Sequence, residues 1–96
     1  MLILLTYDVS TETPAGRKRL SKVAKTCVAH GQRVQKSVFE CTLDWSQFIT
    51  LQSKLKSIIN PEEDSLRFYN LGNSYKEKVV HIGIKPSIQM EGEIII

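Results

Sequence analysis

The spacing of apolar residues changes along the chain, and each change marks an element. Residues 2–7, Leu-Ile-Leu-Leu-Thr-Tyr, are nearly continuous in β-favouring bulk, the pattern of a central strand covered on at least one face, and Asp8 stands at its end. Thr13-Pro14 reads as a helix N-cap with proline in the first helical position. Apolar residues then recur at 20, 23, 24, 27 and 28, the stripe of an amphipathic helix that Gly31 stops. Lys18, Lys22 and Lys25 fall opposite that stripe, while Arg17 and Arg19 flank it and reach around the helix's N-terminal end. From Gln32 to Leu43 the period drops to two, with Ser37 as a bend between a short strand, Arg33 to Lys36, and a longer one, Val38 to Leu43. Phe39, Cys41 and Leu43 share one face of the longer strand, and Val38, Glu40 and Thr42 the other. Asp44 with Gln47 three positions on predicts a capping box for a second helix. Its buried side is Trp45, Phe48, Leu51, Leu55, Ile58 and Ile59, and Asn60-Pro61 ends it. After the acidic loop Glu62-Glu63-Asp64, Ser65 to Leu71 alternates as a fourth strand.

The order strand, helix, strand, strand, helix, strand is the split βαβ pattern of an α+β, ferredoxin-like fold: βαββαβ, with two helices on one face of a four-stranded antiparallel sheet. A single domain over residues 1–96 is expected, its core spanning about residues 1–72, followed by a C-terminal dimerisation segment of about 73–96. In that segment Val79-Val80-His81-Ile82 and Ile94-Ile95-Ile96 both look like strands without a neighbour. An exposed apolar strand invites pairing with a sheet edge, so the expectation is a homodimer in which the extra C-terminal strand crosses to the partner.

Composition narrows the function. A 96-residue domain hides only about two-thirds of the surface its unfolded chain would expose, which excludes a two-domain enzyme with a deep enclosed pocket. The net charge is only +3, but it divides into +5 over residues 1–36 and −2 over residues 37–96. The basic character therefore gathers on the first strand, the first helix and the strand after it. That is a candidate phosphate surface, or else an ordinary solvated helix face. Cys27 and Cys41 have no Cys-x-x-Cys spacing and no histidine cluster beside them, so they read as buried reduced thiols. The longest apolar run, Met1 to Leu5, is too short for a membrane span or a secretory signal, and a soluble cytoplasmic protein without a membrane partner is expected. Nucleotide-binding glycine loops and the motifs of zinc proteases and serine hydrolases do not occur.

Asp8 is the first candidate for chemistry, because a strand end hands a polar side chain to a cleft; a turn or capping aspartate is the plainer reading. One carboxylate is too little to hold Mg²⁺ alone, but Mg²⁺ commonly takes one or two carboxylates plus phosphate oxygens, and a two-fold axis would bring two copies of Asp8 together. Tyr7, Ser10, Arg17, Arg19, Arg33, Gln35 and Ser37 are the polar residues able to join it. The arginines suit phosphate by their planar fork, although Arg33 has Glu40 as an alternative partner. Phe39 reads as core, with stacking or dimer packing as the alternative. His30 and His81 have no spaced partner.

In order, spacing and length, four stretches closely resemble the small CRISPR-associated "Cas-two" nuclease family of the spacer-acquisition machinery. They are Leu2-Ile-Leu-Leu-Thr-Tyr7-Asp8-Val9, Gly16-Arg17-Lys18-Arg19-Leu20, Gly31-Gln-Arg33-Val-Gln35-Lys-Ser37-Val-Phe39-Glu40 and Leu66-Arg67-Phe68-Tyr69-Asn70-Leu71-Gly72. The resemblance implies a ferredoxin-like homodimer with divalent-metal-dependent endonuclease activity on RNA or DNA, with Mg²⁺ or Mn²⁺ as cofactor. Asp8 matches the family's metal-binding aspartate and, with Tyr7, Arg33, Ser37 and Phe39, makes up the implied catalytic set. Arg17, Lys18, Arg19, Lys22 and Arg33 are the implied nucleic-acid-binding residues, and the CRISPR integrase subunit is the implied partner. A competing implication is a non-catalytic DNA-binding scaffold that bridges integrase dimers and does not need Asp8. A toxin-like ribonuclease of the same fold is a third, which the wider motif set disfavours.

Overall fold

The computed structural model describes residues 1–84. The elements run β1 (Leu2–Asp8), α1 (Pro14–His30), β2 (Gln32–Gln35), β3 (Val38–Thr42), α2 (Trp45–Ile58) and β4 (Ser65–Asn70), followed by a short 3₁₀ turn at Lys76–Lys78. The four strands form one sheet in the order β2-β3-β1-β4, and every neighbouring pair is antiparallel. This is the ferredoxin-like α+β arrangement, with β1 in the interior of the sheet and β2 and β4 at its edges.

Both helices begin on local chemistry. Thr13 lies in extended conformation and its side-chain oxygen accepts the Gly16 amide at 3.0 Å, with Pro14 at the first helical position. At α2 the capping box is complete: Asp44 accepts the Gln47 amide at 2.8 Å and the Gln47 side chain accepts the Asp44 amide at 2.9 Å. The helices pack on a single face of the sheet. Ile3, Leu5 and Tyr7 of β1, Phe39 and Cys41 of β3, Val23, Ala24 and Cys27 of α1, and Phe48, Leu51 and Leu55 of α2 are buried in one cluster. Phe48 bridges to β4 edge-on to Phe68, with ring centroids 5.7 Å apart.

Several expectations shift. Trp45, expected on the buried side of α2, is 63% exposed and stands edge-on to Phe48, with ring centroids 5.6 Å apart. As the first residue of the helix it lies at the margin of the sheet. There it lines a shallow cavity of about 430 Å³ with Met1, Leu43, Asn70 and Gly72. Val28 is also exposed, because it stands on the outer margin of the α1 stripe. Strand β2 ends one residue early, at Gln35: its register with β3 breaks between Arg33 and Gln35, and Lys36 and Ser37 form the turn. Strands β3 and β4 likewise end one residue sooner than the alternation predicts. Val79–Ile82 forms no strand within this chain, and Val80 and Ile82 are exposed. Ile94–Ile96 lies outside the described residues.

Two glycines are required by space. A Cβ on Gly16 would run into the carbonyl oxygen of Ser10, and one on Gly31 into Cys41 Sγ and, at 2.6 Å, the carbonyl oxygen of Glu40. Gly31 is in extended backbone, so what it supplies is the close approach of α1 to β3 and not an unusual conformation. Gly31→Ala should therefore lower unfolding free energy by about 1–3 kcal/mol, the usual range for forced overpacking. Asp44→Ala should cost about 1 kcal/mol through the lost cap. Urea unfolding of each variant checks both values.

Candidate functional site

Alternation along β1 sends Ile3, Leu5 and Tyr7 toward the helices and Leu4, Thr6 and Asp8 to the opposite, helix-free face. The register places Asp8 across from Ser65, Thr6 between Val38 and Arg67, and Leu4 between Glu40 and Tyr69. Asp8 is exposed, and among the described residues its carboxylate has no hydrogen-bond or ion-pair partner. No three His, Cys, Asp or Glu side chains come together among those residues, so Asp8 has no ready-made set of further metal ligands beside it among them.

Four other candidates, Tyr7, Arg33, Ser37 and Phe39, meet at the β2–β3 hairpin, with Tyr7, Arg33 and Phe39 on the reverse side of the sheet from Asp8. Tyr7 stacks on Phe39 with centroids 6.2 Å apart and an interplanar angle of 26°, and the Arg33 guanidinium carbon sits 5.1 Å from the centre of the Phe39 ring. The backbone joins them, since the Tyr7 amide donates to the Ser37 carbonyl at 3.1 Å. Burial pushes the Tyr7 phenol up, against the opposing pull of the Arg33 charge. The pairing of Arg33 with Glu40 does not form: Arg33 stands opposite Phe39 in the register and Gln32 opposite Glu40, which places the two side chains on different faces. Phe39 is fully buried and Tyr7 is 6% exposed, so truncating either removes core. A Phe→Ala change at such a position costs about 3–5 kcal/mol, a large part of what holds a domain of this size together.

The third group lies on α1. Lys18, Lys22 and Lys25 are exposed, and Arg17 is exposed while one of its Nη atoms donates to the Thr11 carbonyl at 3.0 Å. Arg19 is engaged differently. Its Nε donates to Asp64 Oδ2 at 2.7 Å and its Nη2 to Glu63 Oε1 at 2.9 Å. The Asp64 carboxylate also accepts the backbone amides of Ser10, at 3.0 Å, and Asn60, at 2.9 Å. Its side chain is fully buried, and the Arg19 hydrogen bond, aided by these amides, holds its pKa down at about 2. In the sequence Asp64 is only the end of the acidic loop Glu62-Glu63-Asp64, and nothing in its local pattern marks a partner 45 residues away. Burial pushes the Cys27 thiol up to about 12 and the Cys41 thiol up to about 11, so neither supplies a thiolate near neutral pH.

Together these features define a class: a small ferredoxin-like α+β domain, basic along its first helix, with one unpartnered carboxylate at the end of its central strand. The family model for CRISPR associated protein Cas2 matches residues 1–79, and the chain belongs to that family. The CRISPR-associated endonuclease Cas2 of Halalkalibacterium halodurans is 58% identical over 95 residues, 99% of each chain. The CRISPR-associated endoribonuclease Cas2 of Chlorobaculum tepidum is 54% identical over the full length of both. The crystal structure of Streptococcus pyogenes Cas2 at pH 6.5 superposes with a TM-score of 0.75 at 53% identity, covering 86% of this chain and all of that one.

A carboxylate whose pKa is lowered by folding stabilises the fold above its unfolded value and loses that contribution as pH falls through its folded value. For Asp64 the stabilisation is complete above its ordinary value of 3.8 and is lost toward pH of about 2. Asp64→Asn should therefore lower stability at neutral pH and flatten the acid limb over that window. Urea midpoints collected across the acid range check it.

Proposed function

We propose that this chain is a metal-dependent endonuclease of the CRISPR spacer-acquisition machinery that hydrolyses phosphodiester bonds as a homodimer. Its family membership and the endonuclease and endoribonuclease names of its relatives support the nuclease part. The observation that carries the site is Asp8, an exposed carboxylate with no partner among the described residues, at the end of an otherwise apolar strand and on the face that no helix covers. An antiparallel sheet with one bare face that carries Leu4, Val38 and Tyr69 suits a second copy of itself. The exposed apolar segment Val79–Ile84 suits strand addition at an edge of the partner's sheet.

A hard cation fits this donor, since Mg²⁺ and Mn²⁺ favour carboxylate oxygens and Mg²⁺ keeps much of its hydration; the two copies of Asp8 would hold it. When bound, such an ion supplies a nucleophilic water at neutral pH and offsets negative charge on the phosphate. The chain's own residues do the remaining work. Arg17, Lys18 and Lys22, exposed along the first turns of α1, hold the nucleic-acid backbone and read no base edge, so sequence selectivity is slight. Tyr7, Phe39 and Arg33 support β1 from behind, and Ser37 fixes it through its carbonyl. The integrase subunit is the expected protein partner and the cytoplasm the expected compartment.

A second reading, a DNA-holding scaffold between integrase dimers, has its own support: the lysine stripe of α1 does not depend on Asp8. Asp8→Ala separates the two. In the nuclease reading it abolishes Mg²⁺-dependent cleavage of purified substrate while dimerisation and DNA affinity persist, and undiminished cleavage rejects the site. Under the scaffold reading the same variant still integrates spacers in a reconstituted system. Three phosphate contacts, by one protomer's Arg17, Lys18 and Lys22, predict that binding weakens at least about 40-fold between roughly 50 and 200 mM salt, and a flat response would exclude a backbone-binding helix.

A further inference from the structure

We infer that Asp64 is a positioning residue for Asp8, and that Arg19 acts on the site through Asp64 and not on nucleic acid. The inference rests on the nuclease reading above and concerns how its one carboxylate is held.

Asp8 is the last residue of β1 and has no side-chain partner among the described residues, so its location is set by backbone on either side. On one side of the strand, the Tyr7 amide is tied to the Ser37 carbonyl at 3.1 Å. On the other, Asp8 faces Ser65 across the β1–β4 register, and Ser65 directly follows Asp64. The chain beyond Asp8 returns to the same carboxylate, because the Ser10 amide donates to Asp64 Oδ1 at 3.0 Å. Asp64 thus holds the strand that lies beside Asp8 and the residue two positions after it.

The group is built to stay fixed. Asp64 Oδ2 takes the Asn60 amide at 2.9 Å, which closes the turn between α2 and β4, and the Arg19 Nε at 2.7 Å, which ties that turn to α1. Gly16 completes the loop's seat, since any Cβ there would strike the Ser10 carbonyl. Arg19 Nε and Nη2 are both spent on Asp64 and Glu63, and its side chain is only 16% exposed. Arg17, in contrast, donates a single bond, to Thr11, and is exposed. A buried carboxylate that accepts two amides and a guanidinium is a rigid support. Small displacements of a reacting group are costly: about 1 Å of misplacement can lower a rate by about 100-fold.

The test compares Arg19→Ala, Asp64→Ala and the double variant in the full-length protein, with Asp64→Asn and Arg19→Lys as shape-preserving substitutes should an alanine variant fail to fold. Amide exchange by NMR reads the support directly. Exchange at Ser10 should quicken by roughly tenfold or more in each single variant while Tyr7 keeps its protection, and the double variant should add little. Affinity for a short duplex in EDTA, and its salt slope, should stay within about twofold of wild type, while kcat for Mg²⁺-dependent cleavage falls by about ten- to a hundredfold with KM unchanged. The inference is overturned if Ser10 exchange is unchanged. It is overturned equally if Arg19→Ala weakens duplex binding and flattens the salt slope while Asp64→Ala does not, the mark of a backbone contact. A wild-type chain without metal-dependent cleavage overturns the nuclease reading alone, and the exchange and affinity results then decide the assignment of Arg19.

Discussion

Helices cover only one face of the sheet, so the alternation of β1 divides its residues between a packed side and a bare one. Ile3, Leu5 and Tyr7 fill the space under α1 and α2, while Leu4, Thr6 and Asp8 face away. A slip of one residue would drive Asp8 into the core and Tyr7 out of it, and burying an unpaired carboxylate is far more costly than any single apolar contact can offset. The register is fixed from the packed side, where Ile3 pairs with Cys41 and Leu5 with Phe39, all fully buried. Asp8 is exposed because the register that buries Tyr7 turns the next side chain to the bare face.

That division changes the meaning of the residues around the strand end. Tyr7, Arg33 and Phe39 form one stacked group, but on the reverse of the sheet, where they stiffen β1 and cannot lie against a substrate on the Asp8 face. Arg19 is likewise absorbed, by Asp64, into the joint between α1, the loop after β1 and the turn before β4. Of the basic candidates on α1, Arg17 and the lysines remain exposed to a polyanion. What one chain presents is an exposed carboxylate at a strand end and a separate basic helix, with no enclosing walls around them among the described residues. A second copy would supply both the missing wall and the missing carboxylate.

Much of this was legible in the chain itself. The period-two and period-3.6 patterns, Thr13-Pro14, Asp44 with Gln47, and Asn60-Pro61 are local signals whose physics acts within a few residues, and the elements they mark appear nearly where expected. What was not legible is long-range. Trp45 has the apolar character of a buried position, but whether the first turn of α2 lies over the sheet or beyond its margin depends on how the helix docks. Asp64 sits among acidic neighbours in a loop, and its partners, Arg19 and the Ser10 amide, are brought to it only when β4 joins β1. The face that Arg33 takes was not readable either, because a bulge resets the alternation of β2 just beyond it.

In the proposed function Asp8 is half of a metal site that a second copy completes. Binding of Mn²⁺ to the purified protein, counted by electron paramagnetic resonance, should then show one tightly bound ion per two chains, lost in Asp8→Ala with the dimer intact. One ion per chain, or binding that survives Asp8→Ala, would contradict it.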